Sequence, residues 1–220
     1  MTSSAKTILI TGASRGFGFA LAESLANTDT HIIALARTSG GLMELDDAIR
    51  KKTGQSATLI PFDLKSEDAA FRSLGENLFN RFGKVDGLVL NAAFMPSLGP
   101  IAHIQEKDWT MMWAVNVTAN MRLLRVFDPL LRAAGTPQIT FISCAARDEA
   151  FWGAFGASKK ALEQMAISYG HETKQAGFRV STFDPGPMGT KLRRVAFPGE
   201  DQTKLNTPAD AAKILAAQLA

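Results

Sequence analysis

Residues 8–18 read "ILITGASRGFG". The run Ile8-Leu9-Ile10 is continuously apolar instead of alternating, as in a strand buried on both faces. Gly12, Gly16 and Gly18 follow it, and a helix-period segment opens among them. Without Cβ atoms, glycines there let the turn close and let backbone N–H groups reach a pyrophosphate at the positive end of a helix. Three glycines alone are a weak signal. Set between a buried strand and a helix, at the head of a strand–helix series, they are a strong one.

That series fills the chain. Segments 7–11, 31–36, 57–62, 87–92, 138–143 and 179–184 read as six strands, mostly without alternation, so burial on both faces is expected. Helical stretches lie at 16–27, 41–52, 67–82, 106–133 and 152–176. In the third of these, Ala70, Phe71, Leu74, Leu78 and Phe82 recur at helical spacing. After a Pro/Gly/Asp-rich loop, a last helix is expected with Thr207 as N-cap and Pro208 at its first position. Strand and helix in strict alternation predict right-handed crossovers and an α/β fold. The expected architecture is a Rossmann-type, doubly wound parallel sheet in three layers. Residues 1–220 are expected to form a single dinucleotide-binding domain, with the substrate site built by the C-terminal half.

Composition narrows the function classes. Among 220 residues, 24 Lys and Arg face 21 Asp and Glu, a net charge of +3 that argues against nucleic acid or a membrane surface as partner. The lone cysteine, Cys144, allows no internal disulfide and suits a reducing compartment. The start shows no long apolar leader, and no apolar stretch approaches a membrane span, so a cytoplasmic protein is expected. No Cys/His cluster has zinc spacing.

The end of the second strand bears on the cofactor. A carboxylate there would bind a free ribose 2′-hydroxyl and repel a 2′-phosphate. The segment "HIIALAR" ends in Arg37 instead, and Arg15 sits inside the glycine loop. Two guanidinium groups favour a phosphate, hence NADP(H) over NAD(H).

These residues resemble the short-chain dehydrogenase/reductase family over nearly the whole chain. Its pattern T-G-x-x-x-G-x-G stands as Thr11-Gly12-Ala13-Ser14-Arg15-Gly16-Phe17-Gly18, and its Asp-hydrophobic pair as Asp63-Leu64. Its N-N-A-G-like motif appears as Asn91-Ala92-Ala93, and its helix asparagine as Asn116. "DPGPMGT" supplies Pro185, Gly186 and Thr190, which in the family close over the nicotinamide. The last part of the chain is similar to a bacterial branch of oxoacyl or carbonyl reductases. The resemblance implies NADPH as hydride donor to a small carbonyl substrate, or NADP acting on an alcohol. In the family a tyrosine serves as general acid, a lysine four residues later lowers its pKa and binds the ribose, a serine holds the carbonyl oxygen, and an asparagine supports a proton relay. Lys159 and Asn116 match. Ser143 is preferred for the serine, with Cys144 next to it as the alternative. The tyrosine position holds Phe155.

Phenylalanine keeps the ring and deletes the acid, a change that typically costs about 10²- to 10⁴-fold in rate. Tyr169, the single tyrosine, lies fourteen residues further along the helix, about 21 Å away, and cannot substitute. His103 could border a pocket, although a loop histidine facing water is the plainer reading. Asp148 and Glu149, beside Phe151 and Trp152, are candidate donors if desolvated. A relay of Lys159 and a water is a third route. A chain with impaired or altered turnover and a silent NADP(H)-binding module therefore both stay open. Met95, Phe151, Trp152 and Met188 suggest an apolar substrate pocket. Lys191, Arg193 and Arg194 could meet a phosphate, though a solvated face explains them as well. Trp and Met clustered at 109–124 read either as core or as the seam of a homodimer, the assembly expected by resemblance.

Overall fold

The computed structural model describes residues 5–144 and 149–219. Six parallel strands, β1 (Lys6–Thr11), β2 (Thr30–Ala36), β3 (Thr58–Pro61), β4 (Gly87–Leu90), β5 (Gln138–Ile142) and β6 (Arg179–Phe183), form one sheet in the order β3-β2-β1-β4-β5-β6. Ile8 of β1 lies opposite Ile32 on one side and Gly87 on the other. The order reverses direction at the β1–β4 pair, which leaves a crevice beyond the strand ends.

The pleat sorts β1 into two cores. Ile8 and Ile10 join a cluster with Phe17, Leu21, Leu42, Leu45 and Leu215. Those residues come from α1 (Gly16–Leu25), α2 (Ser39–Thr53) and α8 (Pro208–Leu219). Leu9 turns to the other face, with Phe71, Phe127, Phe141 and Leu162. Here the helices are α3 (Asp68–Phe82), α5 (Ala119–Ala134) and α6 (Gly153–Thr173). Fully burying each large apolar side chain contributes about 1.5–3 kcal/mol, which is what holds the three layers together. As expected, Thr207 starts α8: its Oγ1 accepts from Asp210 N at 3.2 Å while its hydroxyl donates to Asp210 Oδ2 at 2.6 Å.

Two expectations need correction, and one element is new. The 106–133 helix is not continuous: α4 (Glu106–Trp113) passes through a π turn at Ala114–Thr118 into α5. The strand β6 is not buried on both faces; Arg179, Ser181 and Thr182 are exposed, because β6 is the sheet edge. The loop after β6 carries a helix of its own, α7 (Lys191–Ala196), capped by Thr190 Oγ1, which accepts from Arg193 N at 3.2 Å.

Candidate active site

A cleft of about 1310 Å³ opens at the C-terminal ends of the strands. The expected positions Gly12, Ser14, Arg15, Gly16, Phe17, Gly18, Arg37, Asp63, Leu64, Asn91, Ala92, Pro185, Gly186 and Thr190 all line it, with Ser143, Phe155 and Lys159. Asn116 does not.

At the glycine loop the sequence reasoning has a direct steric counterpart. A Cβ on Gly18 would stand 2.5 Å from both Asn91 Nδ2 and Gly12 O, so no other residue fits. Gly12 and Gly16 have φ of 68° and 58°, the left-handed region. The loop is locked to the end of β4. Thr11 Oγ1 donates to Val89 O and accepts from Asn91 N at 2.9 Å and Ala92 N at 3.0 Å, while Asn91 Nδ2 donates to Thr11 O at 2.8 Å. The N-terminus of α1, with its positive dipole end, is thereby aimed into the cleft. Phe17 is buried and stacks on Phe183 at 5.9 Å, so its ring acts as floor.

Beyond the loop, Arg15 and Arg37 are exposed on the cleft wall, and neither forms an ion pair among the described residues. Thr38 Oγ1 donates to Ser14 Oγ at 3.0 Å and ties the glycine loop to the segment bearing Arg37. Asp63 Oδ1 accepts from Lys65 N at 3.0 Å, which fixes the turn after β3. A cradle without side chains, a helix N-terminus and two free guanidinium groups make a fitting set for an extended, phosphate-bearing dinucleotide.

The inner end of the cleft is built by α6. Lys159 is fully buried, its Nζ donates to Ile142 O at 2.8 Å and lies 5.6 Å from the centre of the Phe155 ring. Burial lowers its pKa to about 8, against an opposing pull from Cys144, Asp184 and Glu163. Phe155 is buried with Met95, Met112, Trp152 and Ala154, an apolar cluster that Cys144 and Phe197 adjoin. Asn116 sits behind this wall. Its Oδ1 accepts from Phe94 N at 2.8 Å, and its Nδ2 donates to Phe94 O at 2.9 Å and Ser158 Oγ at 3.0 Å. Ser158 Oγ in turn donates to Phe155 O at 2.7 Å. The asparagine side chain is thus a brace linking the π turn to α6, and its main-chain oxygen accepts from Asn120 Nδ2 at 2.7 Å.

Ser143 and Cys144 both line the cleft, and the Ser143 hydroxyl donates to Glu163 Oε1 of α6. The pleat explains this. Phe141 faces the α5–α6 layer, so Ser143 two positions on faces it too, and Cys144 turns to the Phe155 cluster. Glu149 lines the cleft but is exposed, and Asp148 lies outside the described residues. His103, in a 3₁₀ turn at Ile101–His103, is exposed and is not a cleft residue. Tyr169 donates to Asp128 at 2.8 Å, which with burial raises its pKa, and it is absent from the cleft.

The cleft's outer lip comes from α7. Arg193 makes a bidentate pair with Glu200, 2.6 Å on each side, and its guanidinium lies 3.9 Å above the Phe197 ring, which meets Trp152 at 5.9 Å. Arg193 therefore fastens the lip and is not a free phosphate ligand. Sequence reasoning missed Ser158, Glu163 and Asn120. The first two flank Lys159 in the run "ASKKALE", with Glu163 one turn after Lys159, and that spacing is the available signal.

The model of the short chain dehydrogenase family matches residues 6–201. The chain belongs to this family. An oxidoreductase of Escherichia coli K12, YciK, is 32% identical over 210 residues, covering 93% of this chain and 82% of the relative. The benzil reductase ((S)-benzoin forming) of Saccharomyces cerevisiae is 29% identical over 198 residues, 86% of this chain and 74% of its own. Among solved structures, a short chain dehydrogenase of Shigella flexneri complexed with NADP superposes with a TM-score of 0.93 at 29% identity, covering 100% of this chain and 93% of that one. In this member of the family, the glycine loop, Lys159 and Phe155 line one cleft.

Proposed function

We propose that this short-chain dehydrogenase is an NADP(H)-dependent oxidoreductase of a carbonyl or alcohol substrate, slowed by the absence of a hydroxyl at position 155. The observation carrying it is the buried Phe155 ring, 5.6 Å from Lys159 Nζ, in a cleft whose glycine cradle and arginines suit NADP(H). NADPH supplies the hydride when bound. The chain's own residues do the rest. The α1 N-terminus and the glycine loop receive the pyrophosphate, and Arg15 and Arg37 receive the 2′-phosphate. Lys159 holds the nicotinamide ribose and brings a buried ammonium group near the substrate oxygen. Met95, Trp152 and Phe155 exclude water from the carbonyl, and Ser143 holds its oxygen, with Cys144 beside it as the alternative.

A second reading has Phe155 itself in its favour: a silent NADP(H)-binding module, with the cradle intact and the acid gone. The two readings share the cofactor, so cofactor choice is tested first. A fluorescence titration should give tighter binding of NADPH than of NADH. Arg37→Ala should remove about 1.5–3 kcal/mol of that preference, the worth of a charge-assisted hydrogen bond. Equal affinities in the parent chain would end the arginine reading. Turnover is tested by restoring the hydroxyl in Phe155→Tyr and following NADPH consumption.

A further inference from the structure

Phe151 is the one non-glycine residue among those described with φ in the left-handed region, at 71°. Its ring is 59% exposed. Glycine adopts that backbone without cost and phenylalanine does not, so a bulky residue persists there only where something repays the strain. Burial within the chain does not repay it.

The surroundings show what could. Phe151 stands between Glu149 and Trp152, which both line the cleft, while its own ring lies outside the lining. Its carbonyl accepts from Gly99 N at 3.4 Å, which draws the 99–101 segment alongside. Ile101 follows, 65% exposed, its side chain 3.2 Å from where a Cβ on Gly153 would stand. Across the mouth, α7 offers Leu192 and Val195, both exposed and both lining the cleft. An apolar track therefore runs outward from Phe155 over Trp152 to Phe151 and Ile101.

We infer that Phe151 is a specificity-determining residue: with Ile101 it forms an apolar shelf for the outer part of an elongated apolar carbonyl substrate whose reacting end sits at Lys159. This rests on the oxidoreductase reading for the reacting end only. A short ketone buries itself against Trp152 and Phe155 without reaching the shelf. A long-chain ketone covers both side chains of the shelf and gains their apolar contact.

The test compares the parent chain with Phe151→Gly and Phe151→Ala. Affinities for 2-undecanone and 2-butanone are read by quenching of tryptophan emission, with and without NADPH, beside thermal midpoints and NADPH titrations. The parent should prefer 2-undecanone. Both variants should lose about tenfold in 2-undecanone affinity, equal to about 1.4 kcal/mol, with 2-butanone and NADPH binding unchanged. Phe151→Gly, which relieves the left-handed strain, should melt no lower than the parent. Retained 2-undecanone affinity in both variants, or an equal loss for both ketones, would overturn the shelf. A flat NADPH titration of the parent would count against the function proposed above, while the ketone measurements would still decide the shelf.

Discussion

Lys159 shows how a single residue carries the site's electrostatics. Its ammonium is buried behind Phe155, and burial lowers its pKa from 10.5 to about 8. The folded state therefore gives up its proton before the unfolded state does. Between pH 8 and 10.5 the unfolded chain binds the extra proton, so stability rises with pH across that window and the cost of the buried charge is fully present below it. The size is on the order of 3 kcal/mol, since each unit is about 1.4 kcal/mol. Lys159→Met removes the group. Denaturant unfolding at pH 7 and pH 10 should show the parent gaining on the methionine variant by about that amount, and a pH-independent difference would contradict the assignment. At the same scale, that Ser143 and Cys144 are candidates is legible from "FISCAA", and both line the cleft; which neighbours each meets depends on the pleat phase of β5, fixed by Phe141 packing against α5 and α6.

At the level of elements, what was legible is what is local. The apolar run Ile8–Ile10, the three glycines and the helix period after them lie within eleven residues, and each is a direct consequence of sterics and burial. Thr207 and Pro208 announced α8 for the same reason. The π turn at Ala114–Thr118 was not legible. It accompanies the bonds of Asn116 to Phe94 and to Ser158, partners 22 and 42 residues away, and nothing in the 106–133 periodicity encodes them. The exposure of β6 was hidden likewise: "RVSTF" is a good strand sequence, and only the sheet order makes it an edge. The lip helix α7 is not legible because its six residues are too few to show a period; its anchor is the Arg193–Glu200 pair.

For the whole molecule, a parallel sheet that reverses direction at β1–β4 accounts for the position of the cleft at the C-terminal ends of the strands. Outside that cleft, α4 and α5 expose Trp109 and Met121, although Met112 between them is buried in the site cluster. We propose that this outer face pairs two copies, so sedimentation equilibrium should give twice the 23.7 kDa chain mass; a single-chain mass at micromolar concentration would contradict it. Among the described residues no helix is long and apolar enough to cross a membrane. The missing hydroxyl is tested by NADPH consumption on a panel of ketones and aldehydes, run side by side for the parent chain and Phe155→Tyr. A gain of about 10²- to 10⁴-fold is expected for the tyrosine variant on at least one substrate, with NADPH affinity unchanged. Equal rates for the two chains on a substrate that the parent already reduces would contradict it, and would place the proton donor elsewhere in the cleft.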